Sequence, residues 1–127
     1  MEEKLWVRAI RGAVTVQENS PEAILAAVRE LLETIASYNN LQPEKMISII
    51  FSVTQDLNAV FPAQAARELG WVNVPLFCTL EIAVPGSLKR CIRVLIHAYL
   101  PCSQEEVKHV YLGDAAQLRP DLDEKNG

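Results

Sequence analysis

Apolar and polar residues alternate with a period of two along "KRCIRVLIHAYL", Lys89 to Leu100. Ile92, Val94, Ile96, Ala98 and Leu100 share one face, and Cys91, Arg93, Leu95, His97 and Tyr99 share the other. The pattern predicts a strand with one face against a core. The second face is too apolar for ordinary solvent exposure and too polar for a core, so something must lie over it. A buried guanidinium keeps its charge, which leaves Arg93 two explanations. It is a structural charge, ion-paired or snorkelling to the rim, or it faces an anionic ligand.

The same reading predicts strands over Leu5–Val16, Met46–Val53, Val74–Val84 and Lys108–Leu112. Gly12 marks a bulge or a close approach inside the first, and Pro85 with Gly86 makes a turn after the third. "NSPEAILAAVRELLETIASYNN" carries helix signals throughout. Ser20 suits the cap, Pro21 the first helical position, and Ile24, Leu25, Val28, Leu31, Leu32 and Ile35 form one stripe. Asn39 and Asn40 suit its end, and Pro43 prevents continuation. "TQDLNAVFPAQAARELGW" reads as a loop and a short helix between Pro62 and Gly70. The expected fold class is α+β, a five-stranded sheet against one long helix with short helical turns. One helix covers only one face of such a sheet, so an obligate oligomer is expected to cover the other.

A chain of 127 residues, half of them hydrophobic, has the size of one domain, 1–127. The net charge of −4 and the lack of a basic run exclude a general nucleic-acid binder. Three cysteines without CxxC spacing fit reduced thiols in the cytosol, and the two histidines, His97 and His109, have no ligand-spaced partners, so no metal is expected. The start "MEEKLWV" lacks a secretory signal, and no segment approaches the roughly 20 apolar residues of a membrane span. A cytoplasmic protein with no membrane partner is expected.

Arg11, Glu81 and Arg93 interrupt apolar strand patterns. Each alone reads more simply as a satisfied structural charge. Together they leave a positive excess suited to a small carboxylated ligand, to which Tyr111 and Cys78 would add neutral hydrogen-bonding groups. No glycine-rich phosphate loop or dinucleotide pattern is present, and nothing in the spacing activates a nucleophile.

"RAIRGAVTV", "DLNAVFPAQAARELGW", "VPLFCTLEI", "LKRCIRVLIHAYL" and "HVYLGDAAQLRPDL" together resemble the monofunctional chorismate mutases of the trimeric pseudo-barrel (AroH) type, in order from Val7 to Leu122. The resemblance implies a trimeric pseudo α/β barrel whose active sites lie between subunits. The implied reaction converts chorismate to prephenate by an intramolecular Claisen rearrangement, without metal or cofactor, toward phenylalanine and tyrosine. It assigns a substrate carboxylate to Arg11 and to Tyr111, the ring hydroxyl to Cys78 and Glu81, and a carboxylate together with the ether oxygen to Arg93. The backbone through Thr79 lines the site, with Phe77 and Leu80 beside it. Phe61, Ala63, Leu76 and Leu118 match apolar lining positions, and Arg67 and Arg119 match basic residues near the entrance. The tail from about residue 119 resembles one that folds over the site.

Gln64 departs from the family, which often has lysine there, and removes a cation from the rim. Cys78 and Glu81, three apart, cannot share one face of a regular strand. A bulge, a bend or a strand end between them, or contacts with different subunits' sites, is therefore expected. A non-catalytic trimer that senses a small carboxylate is the competing reading.

Overall fold

The computed structural model describes residues 3–118; Arg119 and the tail lie outside them. Five strands form one mixed sheet: β1 (Trp6–Thr15), β2 (Met46–Val53), β3 (Leu76–Leu80), β4 (Cys91–Leu100) and β5 (Val110–Leu112). Their spatial order is β3-β2-β4-β1-β5. β4 runs antiparallel to both of its neighbours, while the outer pairs, β2 with β3 and β1 with β5, are parallel.

Helix α1 (Pro21–Asn39) packs on one face, and α2 (Ala63–Glu68) makes the short connection from β2 to β3. The α1 stripe Ile24, Val28, Leu31, Leu32 and Ile35 is fully buried against Ile10, Ile49, Phe51, Ile92 and Ile96, with Leu25 only partly covered. The start of α1 is held by Ser20, whose Oγ accepts the Ala23 N–H at 3.1 Å. Its end is closed by Asn40 in the left-handed conformation at φ 50°.

Gly12 marks a close approach and not a bulge, because the β1–β4 register runs unbroken past it. A Cβ there would lie 2.8 Å from Ile35 Cδ1 and 3.2 Å from the Val110 carbonyl oxygen. The irregularity in the sheet falls instead between Met46 and Ser48 of β2.

The strand expected over Val74–Val84 is shorter, Leu76–Leu80. Its partner β2 ends at Val53, opposite Leu80, and the Glu81 N–H takes the last ladder bond to the Val53 carbonyl at 2.9 Å. With no partner strand beyond that point, Ile82–Val84 turn on themselves, and the Val84 N–H bonds to the Ile82 carbonyl. β5 is likewise limited to Val110–Leu112. Side chains continue its work along β1. The Gln104 amide brackets Ala9, accepting from its N–H at 2.9 Å and donating to its carbonyl at 2.6 Å, and His109 Nδ1 accepts the Arg11 N–H at 2.9 Å. These groups satisfy a strand edge that would otherwise stay open.

Two consequences for stability are testable. Gly12→Ala overpacks the β1–α1 seam and is expected to lower unfolding stability by about 1–3 kcal/mol; an unchanged urea midpoint would show that Ile35 gives way freely. Burial, and secondarily the Arg11 charge, hold the His109 pKa below its ordinary value. Above about pH 6.5 the imidazole is neutral in both folded and unfolded chains. As pH falls through that value toward the lower folded pKa, the unfolded chain takes up the proton first and stability declines. His109→Asn, which keeps an acceptor and cannot titrate, is expected to flatten that part of the stability profile when urea midpoints are compared from pH 7.5 to 5 at one protein concentration.

Candidate active site

Alternation along the strands sorts the candidate residues before any distance is considered. On the face away from α1, the register sets Thr79 beside Ser52, Ser52 beside Arg93, Arg93 beside Ala13, and Ala13 beside Tyr111. One row therefore crosses all five strands with Arg93 at its centre. The adjacent row holds Phe77, Ile50, Leu95 and Arg11. Arg11 and Arg93 are diagonal neighbours on antiparallel strands, with Cβ atoms somewhat less than about 7–8 Å apart for a regular pair.

Glu81 continues the alternation of Phe77 and Thr79 onto this face, one residue past the end of β3. Its Oε1 lies 3.4 Å from Arg93 Nε, and the two side chains remain 25% and 46% exposed. Arg93 is thus loosely paired and open to solvent, and Arg11 has no carboxylate partner among the described residues. The local result is two guanidiniums against one carboxylate, an arrangement able to hold a small anion with several acceptor oxygens. Leu118 and Tyr111 border it, packing on the buried trio Ala13, Cys91 and Ala115. Burial raises the Cys91 thiol pKa despite the nearby Arg93 charge, so Cys91 serves as an apolar floor.

The other candidates lie elsewhere. Leu76, Cys78 and Leu80 pair with Ile49, Phe51 and Val53, which places them on the α1 side of the sheet. There Cys78, Thr79 and Leu80 line an open cleft of about 520 Å³ with Val53, Leu57, Val60 and Phe61. Phe61 is largely exposed at its mouth, and Ala63 is buried in the core at the start of α2. Arg67 is exposed on α2, and Gln64 donates from Nε2 to Glu68 Oε2 at 3.0 Å. Arg119 lies outside the described residues. Strand β3 ends at Leu80, between Cys78 and Glu81, and the two side chains stand on opposite faces of the sheet and belong to different sets. One set is Arg11, Glu81, Arg93, Tyr111 and Leu118 on the open sheet face; the other is Phe61, Cys78 and Leu80 around the cleft. Thr79 stands at the edge between them.

Sequence reading missed the support beneath the first set, which comes from Thr54, Asp56 and Arg90. The signal available was "TQD" directly after an apolar strand, a short polar turn able to receive backbone N–H groups. Among the described residues no group of histidine, cysteine or acidic side chains is placed to hold a metal ion, and no helix is long and apolar enough to cross a membrane.

Residues 7–122 match the family model for chorismate mutase type I. The chain is 51% identical over 118 residues to chorismate mutase AroH of Thermus thermophilus, an alignment covering 92% of this chain and 97% of the relative. It is 45% identical over 119 residues to chorismate mutase AroH of Bacillus subtilis strain 168, covering 93% and 94%. A solved chorismate mutase from Clostridium thermocellum superimposes with a TM-score of 0.85 at 49% identity, over 87% of this chain and 98% of that one. The chain belongs to the chorismate mutase type I family.

Proposed function

We propose that this chain is a chorismate mutase that converts chorismate to prephenate for phenylalanine and tyrosine synthesis, acting as a cytoplasmic homotrimer. The observation that carries the reading is the pair of guanidiniums, Arg93 and Arg11, on one open sheet face beside a single carboxylate, in a chain whose length is nearly all matched by the family.

The rearrangement needs no proton donor or acceptor. One C–O bond breaks as one C–C bond forms within the same molecule, and negative charge gathers on the departing ether oxygen. Arg93 donates to that oxygen, and its hold strengthens as the charge grows, so it favours the transition state over the bound substrate. Glu81 accepts from the ring hydroxyl and faces the positive side of the separating charge. Its position beside Arg93 Nε also orients the guanidinium. Arg11 and Tyr111 hold carboxylates and select the compact conformer in which the reacting carbons meet. Phe61, Leu76, Leu80 and Leu118 exclude water, and Arg67 draws the dianion toward the cleft. No cofactor enters.

Thr79 and Tyr111 stand four strand spacings apart, about 19 Å, too far for one single-ring substrate to touch both within a chain. Cys78 faces the opposite side of the sheet. A complete site therefore joins the open face of one subunit to the Phe61–Cys78 cleft of the next. The exposed Phe77, Ile82 and Tyr99 fit an interface better than solvent, and the three free thiols fit a reducing compartment.

Purified protein is expected to speed chorismate loss and prephenate formation, and Arg93→Ala to lower kcat by a factor of about 1,000 or more, since one oxyanion donor alone contributes about 100- to 1,000-fold elsewhere. Binding of chorismate without turnover by the unmodified chain would favour the sensor reading instead. Subunit sharing has its own test. Arg93→Ala and Phe61→Asp, each inactive alone, are expected to regain activity after unfolding and refolding together, at about a quarter of the sites for random mixing in a closed ring. Light scattering that shows a monomer, or no regain on mixing, would remove the shared site.

A further inference from the structure

Arg90 is one of two non-glycine residues with positive φ among the described residues, at 48°. It stands directly before β4, three positions from Arg93. Left-handed backbone is unfavourable for arginine, so the surroundings must impose it. Its backbone N–H is received by both carboxylate oxygens of Asp56, at 3.2 and 3.0 Å. The next N–H, that of Cys91, is received by Thr54 Oγ1 at 3.0 Å, and the Thr54 hydroxyl donates to Asp56 Oδ1. On the other side the Val16 N–H reaches the Arg90 carbonyl at 3.0 Å, and Arg90 Nε donates to the Val16 carbonyl at 3.1 Å.

Two successive N–H groups at the start of β4 are thus held by side-chain oxygens where the backbone ladder with β2 runs out. Asp56 supplies the carboxylate that receives the Arg90 N–H. It also lines a hollow of about 360 Å³ beneath residues 81–89, the loop that leaves β3 at Glu81 and returns to β4 at Arg90. The ends of that loop carry or adjoin both members of the Glu81–Arg93 pair. Within it the described hydrogen bonds are local, from Val84 to Ile82 and from Ser87 to Val84, and Ile82 is 84% exposed. The loop's return is fixed at Asp56.

We infer that Asp56 is a positioning residue for the mutase reaction. By holding Arg90 in its left-handed turn, it sets where β4 begins and so aims the Arg93 guanidinium at Glu81 and the substrate. It does not touch substrate itself. The inference rests on the mutase reading above and adds a residue to it. Arg11 and Tyr111, which would hold the carboxylates, sit on β1 and β5, and β1 joins this corner at its far end, through Val16, five residues past Arg11. Loss of Asp56 should therefore act on turnover more than on substrate capture.

The test is steady-state kinetics of the full chain with chorismate, for Asp56→Ala and Asp56→Asn, well below their melting temperatures and with folded protein quantified by circular dichroism. Asp56→Ala is expected to lower kcat about 10- to 100-fold, since a misplacement near 1 Å can cost about 100-fold, while KM changes less than about threefold. Asp56→Asn keeps one acceptor for the Arg90 N–H and is expected to recover a large part of kcat. It also serves if the alanine variant does not fold. A lower melting temperature with kcat unchanged in both variants would show a merely structural role and overturn the inference. So would a rise in KM alone, or an asparagine variant no better than alanine. An unmodified chain that does not turn over chorismate would overturn the mutase reading and this one together; an active unmodified chain with an unimpaired Asp56→Ala would overturn this one alone.

Discussion

β4 is hydrogen-bonded along both edges, to β2 and to β1, and its two faces make opposite demands. Ile92, Val94, Ile96 and Ala98 must stay dry against α1, while Arg93 must not. A slip of one residue would exchange the faces, sending a guanidinium into the core and four apolar side chains out of it. That penalty ties the position of Arg93 to the register of the whole sheet. The face on which the central charge of the proposed site stands is therefore fixed by the same packing that folds the chain, and its finer aim is left to the groups around it.

The two outer strands extend this logic unequally. β3 ends where β2 ends, one residue before Glu81, which by alternation with Thr79 stands on Arg93's side of the sheet and meets it there. At the other edge β5 is short, and Gln104 and His109 finish the pairing of β1 with side-chain atoms. Arg11 is thereby fixed through its own backbone. Burial and the arginine's own charge lower the pKa of the imidazole that receives its N–H, which favours the neutral form able to accept that bond.

What was legible in the sequence follows from which interactions are local. α1 was legible because its cap, first-turn proline, stripe and terminal asparagines lie within about twenty residues, and β4 because alternation needs no partner to be seen. The length of β3 was not, since the apolar run to Val84 continues past the point where its partner stops. Nor was the corner at Arg90, where Asp56 meets a backbone N–H 34 positions away and nothing in "SLKR" announces a left-handed residue. Period two placed Arg93 on one face of its strand but could not say that Arg11 and Tyr111 share it; register decides that. The roles given to individual side chains came from family resemblance and not from pattern.

The rim shows how a change of charge can be absorbed without disturbing this frame. Gln64, where the family resemblance leads to an expected lysine, donates to Glu68, which also meets Arg29 at 3.0 Å. This is an exposed cluster, and such pairs contribute little to stability, so the substitution need not alter the seating of α2, whose Ala65 and Ala66 are fully buried. Its consequence is electrostatic. With the chain at −4 overall, attraction of a dianion in the proposed site would fall to the exposed Arg67 and to Arg11 and Arg93 on the sheet face. The cations that remain inside act at short range, where salt screens them least. A neutral residue at position 64 would thus weaken long-range capture in the proposed site more than the field felt by the breaking bond, because that field comes from a strand whose register the core has already set.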